Sequence, residues 1–176
     1  MGREGKELMI DLPRAPRALY ILGLAGVGKN HVGDLLGRLC GYHVYHADED
    51  LPAEMQEAVQ KNVLWTEEQV DGFHAIIRRR TKELLEAHPK VVVTQATYFQ
   101  KYRDLMREAV PEIEFLWVVA DHEVNVRRIR ERKDYVSVEY FESTLHYFEK
   151  PPESTKKIVN NSDDFEIIRQ LMAYYG

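Results

Sequence analysis

Eight residues, GLAGVGKN at positions 23–30, constrain this chain more than any others. They follow Ala18-Leu19-Tyr20-Ile21-Leu22, a short continuous apolar run that suits a strand buried on both faces. They precede Val32, Leu35, Leu36 and Leu39, which fall at helical spacing before a stop at Gly41. Strand, glycine-rich turn and helix in that order match the phosphate-loop pattern G-x-x-x-x-G-K-[ST] except at its last position, where Asn30 stands. Gly23, Gly26 and Gly28 allow a tight concave turn. Its amide N–H groups, backed by the positive end of the helix, suit phosphate oxygens. On this reading Gly23, Leu24, Ala25, Gly26, Val27, Gly28, Lys29, Asn30 and His31 bind ATP, with Lys29 on the outer phosphates. Asn30 replaces the hydroxyl that ordinarily ligates Mg²⁺. An amide oxygen is also a hard donor and can hold the ion directly or through water.

The same alternation continues along the chain. His43-Val44-Tyr45-His46 reads as a second strand ending at Asp48-Glu49-Asp50, and Pro52 can open a helix. Thr66-Glu67-Glu68-Gln69 is a capping box for a long helix reaching about His88. Residues 91–94 and 115–119 read as further strands, separated by a helix with Tyr102, Leu105, Met106 and Ala109 on one face. A helix over 122–132 follows, then a stripe of Val138, Phe141, Leu145 and Phe148 closed by Pro151-Pro152. Ile158-Val159 is a fifth strand. Phe165, Ile168, Leu171, Met172 and Tyr175 mark the last helix. Strands alternating with helices predict an α/β fold, a parallel five-stranded sheet with helices on both faces. Ligands of such sheets sit at the carboxyl ends of the strands, so residues 23–30, 48–50 and 94–98 should share one rim.

A length of 176 residues fits one domain over residues 17–176, preceded by an arm or tail over 1–16 that carries prolines and many charges. A formal net charge of -5 argues against nucleic acid as a partner. No apolar run is long enough for a membrane span. The single cysteine, Cys40, reads as a core residue, and the chain as cytoplasmic. The histidines offer no metal set.

Three groups remain that carry chemistry. Asp48, just past the second strand, faces the loop across the rim. It can accept a proton from a substrate hydroxyl or help organise Mg²⁺, although the same acidic turn would also serve to cap the helix after Pro52. Arg127, Arg128, Arg130, Arg132 and Lys133 put Arg128 and Arg132 on one helical face. They suit either a lid over a transferred phosphoryl group or a solvated helix end beside the negative dipole terminus. Arg78, Arg79 and Arg80 read as an exposed face.

Taken in order, GLAGVGKN, HADEDLP, LWTEEQVDGF, VVVTQATYFQKYRDLMR, RRIRERKDYVSVEYFESTLHYFEKPPES and IVNNS resemble the small P-loop sugar-acid kinases, the gluconokinase family, with shikimate kinases as relatives. The resemblance runs from about Ala18 to Tyr175. It implies a nucleoside-monophosphate-kinase-like P-loop NTPase fold with a short lid at about 130–150, and transfer of the ATP γ-phosphate to a hydroxyl of a small polyol acid with Mg²⁺. It also implies a homodimer as one possible assembly. It puts the catalytic roles on Lys29, Asp48, Arg128 and Arg132, with Arg128 and Asn160 also at the nucleotide and Asn30 and Asp48 at the metal. Asp48, Glu49, Gln95, Tyr98 and Arg103 become the acceptor-binding candidates. The chain departs from the family pattern around the acceptor, at Leu51, Val70, Thr97-Tyr98-Phe99 and Tyr135-Val136. The acceptor therefore stays open among sugar acids, shikimate-like, nucleoside or nucleotide compounds. A catalytically impaired nucleotide-binding regulator is the alternative from outside the enzymes.

Overall fold

A computed structural model describes residues 9–132 and 136–176. The first half of the expected arm, together with Lys133 and Tyr135 of the expected lid, lies outside the described residues. Five strands, β1 (Ala18–Leu22), β2 (His43–His46), β3 (Val91–Thr94), β4 (Glu114–Val119) and β5 (Lys156–Val159), form one sheet in the order β2-β3-β1-β4-β5. Every pairing is parallel, with Tyr20 of β1 opposite Val93 on one side and Phe115 on the other. The central position of β1 follows from its composition. All five of its residues are buried, and only an inner strand covered on both faces can hide five consecutive apolar side chains.

The period-two alternation of β1 divides the core. Leu19 and Ile21 pack into a layer with Val32, Leu35 and Leu36 of α1 (Lys29–Cys40) and Ile167, Leu171 and Tyr175 of α7 (Asp164–Tyr175). Ala18, Tyr20 and Leu22 face the opposite layer. It contains Met55 of α2 (Ala53–Gln60), Phe73, Ile77 and Leu84 of α3 (Glu67–Ala87) and Met106 of α4 (Gln100–Ala109). Cys40 is buried in the first layer, as its place on the apolar face of α1 predicts. The capping box is formed: the Thr66 hydroxyl accepts from the Gln69 amide at 3.2 Å, and the Gln69 side chain accepts from the Thr66 amide at 2.9 Å.

Several expectations shift. Residues 9–16 do not trail away: Ile10 donates to the Leu39 carbonyl, Arg14 to that of Tyr175, and Leu12 is buried in the first core layer. The last helix turns a different face inward. Ile167, Leu171 and Tyr175 are buried at spacings of four, whereas Phe165 is 75% exposed and Met172 49% exposed. On α4 the buried face carries Tyr102, Arg103 and Met106 and leaves Leu105 largely outside. The stripe from Val138 to Phe148 breaks into α6 (Val138–Thr144), a tight turn over Leu145–Tyr147 and an extended Phe148 that packs on Trp117. α5 spans His122–Glu131, so Arg132 follows its end.

Candidate active site

The loop after β1 turns through left-handed backbone at Gly26 (φ +77°) and Gly28 (φ +85°), conformations that only glycine adopts without strain. Its outward carbonyls are tied down. Asn160 Nδ2 donates to the Val27 oxygen at 2.8 Å, and Arg128 Nη1 reaches the Gly26 and Val27 oxygens at 3.2 and 3.3 Å. A Cβ on Gly28 would stand 2.4 Å from Asn160 Nδ2, so the residue that follows β5 packs tightly against the loop. Asn160, which the resemblance puts at the nucleotide, is thus buried against the loop backbone. The His31 side chain pairs with Asp164 of α7 at 2.5 Å. Arg128 is only partly exposed. Burial first, and then the like charges of Arg127 and Arg132, hold its guanidinium below the usual arginine range, a setting an anion would relieve. Arg132 is exposed.

A cavity of about 350 Å³ opens beside the loop, with Ala25, Lys29, Asp48 and Gln95 on its wall. These residues come from the ends of β1, β2 and β3, the shared rim that the strand order implies. Asp48 has one carboxylate oxygen fixed: Gln95 Nε2 donates to Oδ1 at 2.7 Å. Gln95 is itself oriented, because its side-chain oxygen accepts from the Thr97 amide at 3.2 Å. Thr97 occupies left-handed backbone, φ +47°, which a β-branched residue adopts only under constraint. Two constraints hold it. The Tyr20 and Thr97 hydroxyls are 2.7 Å apart, and Arg103 donates from Nε and Nη2 to the Thr97 carbonyl at 3.2 and 2.8 Å.

Arg103 therefore does a different job from the acceptor binding expected of it. It is 1% exposed, and its remaining donors go to Gln100 Oε1 and to the Tyr98 and Glu149 carbonyls. Its guanidinium is committed within the protein, because a buried charge needs its hydrogen bonds filled there. Glu49 is exposed and does not line the cavity; its charge acts on His43. Tyr98 does line it, its hydroxyl 3.0 Å from that of Thr144.

Asn30 joins a polar chain. Its Oδ1 accepts from the Thr94 hydroxyl at 2.7 Å, and that hydroxyl lies 2.8 Å from Nδ1 of His46, whose Nε2 is 2.8 Å from Asp34. One lone pair of the Asn30 oxygen is used this way and the other remains for a cation or its water. No group of three or more His, Cys, Asp or Glu side chains that could hold a metal occurs among the described residues. The donors present, one amide oxygen and one carboxylate at a phosphate loop, fit Mg²⁺, which binds through few protein oxygens and relies on phosphates for the rest. Asn30→Ser and Asn30→Thr should then keep or increase activity at limiting Mg²⁺, read from Mg²⁺ titrations of ADP release. Total loss in both would assign Asn30 a role beyond the metal.

Sequence reading missed most of the cavity wall. Val70 and Phe99 stand out there only as departures around the acceptor, and Trp65, Phe73, His74 and Tyr140 carry no role, yet all six border the cavity. His74 is 7% exposed and stacks on Tyr102 with ring centroids 4.1 Å apart. Burial, then the charge of Arg78, lowers its pKa to about 3. The unfolded chain takes up a proton near pH ~6.5 that the folded chain refuses until about pH 3. Stability should fall as pH drops through that window, by at most about 1.4 kcal/mol per pH unit. Urea unfolding at about pH 7 and pH 5 should show the parent losing roughly 2 kcal/mol more than His74→Gln; equal losses would remove His74 as the cause.

Among known families, a model described as AAA domain matches residues 19–151. The thermosensitive gluconokinase of Escherichia coli (strain K12) is 20% identical over 146 residues, 82% of this chain and 78% of that protein. A shikimate kinase of Caulobacter vibrioides (strain NA1000 / CB15N) is 29% identical over 124 residues, 69% of this chain and 59% of that protein. The crystal structure of a gluconokinase from Sinorhizobium meliloti 1021 superposes with a TM-score of 0.77 at 24% identity, covering 92% of each chain. The five-stranded parallel sheet with its flanking helices is thus the fold of the P-loop kinases.

Proposed function

The chain belongs to the AAA domain family, and from that premise we propose that it is an ATP-dependent kinase that transfers the γ-phosphate to a hydroxyl of a small metabolite. The observation that carries this reading is that Lys29 of the phosphate loop and Asp48, fixed by Gln95, border the same cavity. A phosphoryl donor on one side and a proton acceptor on the other is the arrangement such a transfer needs.

In this reading the loop amides and Lys29 hold the phosphates in place. Asp48, with Oδ1 occupied by Gln95, offers Oδ2 to the acceptor hydroxyl and takes its proton as the oxygen attacks phosphorus. Arg128, already against the loop backbone, stabilises charge on the transferred group with help from Arg132. Mg²⁺, held by Asn30 and Asp48, would neutralise charge on the phosphate oxygens.

The test is ADP release by the full chain with Mg·ATP against a panel of sugar acids, polyols, shikimate and nucleosides, alongside ATP binding by calorimetry. Acceptor-dependent ADP release is expected. ATP binding with no transfer to any acceptor would instead favour a nucleotide-binding regulator.

A further inference from the structure

We propose that the acceptor subsite takes an uncharged alcohol built on a flat ring, rather than a sugar acid. This rests on the kinase reading above and deepens it. Beyond the polar corner of Lys29, Asp48 and Gln95, the wall is formed by Trp65, Val70, Phe73, Tyr98, Phe99 and Tyr140. Ring faces of this kind bind planar apolar surface and present a negative quadrupole that disfavours an anion. A volume of about 350 Å³ suits a molecule of one or two rings.

Charge argues in the same direction. Among the described residues the ionised groups on the wall are Lys29 and Asp48. Lys29 belongs to the phosphates, and Asp48 would repel a carboxylate. The nearby arginine, Arg103, has its nitrogens on the Thr97, Tyr98 and Glu149 carbonyls and Gln100 Oε1. Arg78, one helical turn from His74, is half-buried rather than exposed, and its charge acts on His74 with Nη1 buried and unpartnered, but it does not line the cavity. A carboxylate entering this cavity would lose its water and, among the described residues, find no cation on the wall besides Lys29, a cost that a neutral ligand avoids.

One polar group on the wall points to the ligand. His74 is 93% buried by its 7% exposure, borders the cavity, and has no hydrogen-bond partner among the described residues. Its ring nitrogens are not among the fully buried unpartnered atoms, so a hydrogen-bonding atom that enters the cavity can reach one. The Tyr102 stack fixes its plane. A single hydrogen-bonding atom on the ring of the ligand would satisfy it, while the alcohol lies toward Asp48.

The experiment compares benzyl alcohol, 3-(hydroxymethyl)pyridine and thymidine with gluconate and shikimate. Transfer is followed by ADP release. Binding is followed by fluorescence of Trp65 in a Trp117→Phe background, these being the two tryptophans of the chain. At least one neutral ring alcohol is expected to quench Trp65 and to exceed both acids in kcat/KM by about tenfold or more. Val70→Arg, which adds a cation to the wall, should narrow that ratio by about tenfold. Transfer to gluconate or shikimate in preference would overturn the inference and leave the kinase reading standing. Quenching by a neutral alcohol, with ATP bound but no transfer, would uphold the ligand class and remove the kinase reading. If no neutral ring alcohol either quenches Trp65 or accepts phosphate, the inference is wrong. The parent panel decides the matter even where Val70→Arg does not fold.

Discussion

Lys29→Ala is expected to lower phosphoryl transfer by at least about a thousandfold, roughly 4 kcal/mol of transition-state stabilisation. Lys29 is the cation of the loop on the wall shared with Asp48, and no other lysine borders the cavity among the described residues. The two apolar layers around the sheet do not include it, so its thermal unfolding midpoint should stay close to that of the parent. Single-turnover kinetics and a melting curve on the same preparation check both halves. Turnover equal to the parent would detach the chemistry from the loop. A collapsed melting midpoint would instead make Lys29 a structural residue.

Arg103→Ala is expected to cost about 3 kcal/mol or more of stability in urea unfolding, because three carbonyls lose a charged donor at once. A second consequence separates it from an ordinary core deletion. Without Arg103 the left-handed Thr97 loses one of its two constraints, Gln95 loses a fixed partner, and Asp48 is no longer aimed. The protein that remains folded should show a lower kcat with an unchanged KM for ATP, and Arg103→Lys should recover part of the stability. If Arg103 instead held the acceptor directly, the acceptor KM would rise while the urea midpoint stayed put.

The mismatch between expectation and structure at Arg103 has a plain cause. In YRD, an arginine flanked by an aromatic and an acid reads as a surface or ligand group, since helical periodicity assigns the buried positions to Tyr102, Leu105 and Met106. The helix rotates enough to bury Arg103 because the carbonyls of Thr97 and Glu149 would otherwise be left without donors and that of Tyr98 would keep only the Glu149 amide. That need arises from the strand-to-helix loop and the segment after α6, which are distant in sequence from one another. Glu49 illustrates the converse. It sits beside Asp48 in the chain, but the tight turn over Ala47–Asp50 sends neighbouring side chains in different directions, and only Asp48 reaches the cavity.

His74 and Phe73 show where periodicity is silent. A helical stripe of Val70, Phe73, His74 and Ile77 states which face turns inward, but not whether protein or ligand meets it. Here Ile77 enters the core under β1, Phe73 joins that core and also borders the cavity, and Val70 and His74 border open volume.

The phosphate loop, the parallel sheet and the rim that collects Lys29 and Asp48 were determined by local pattern: a doubly buried strand, glycines at the two left-handed positions, and a helix after each strand. Each strand, turn and helix is a short-range requirement of backbone geometry and burial written in consecutive residues, and the alternation of these units implies the parallel sheet and its rim. The strained Thr97, the arginine clamp that holds it and the aromatic wall of the acceptor cavity were decided only in three dimensions. Each depends on groups from separate segments meeting, and a hydrogen bond or an apolar wall has no signature until both sides are present.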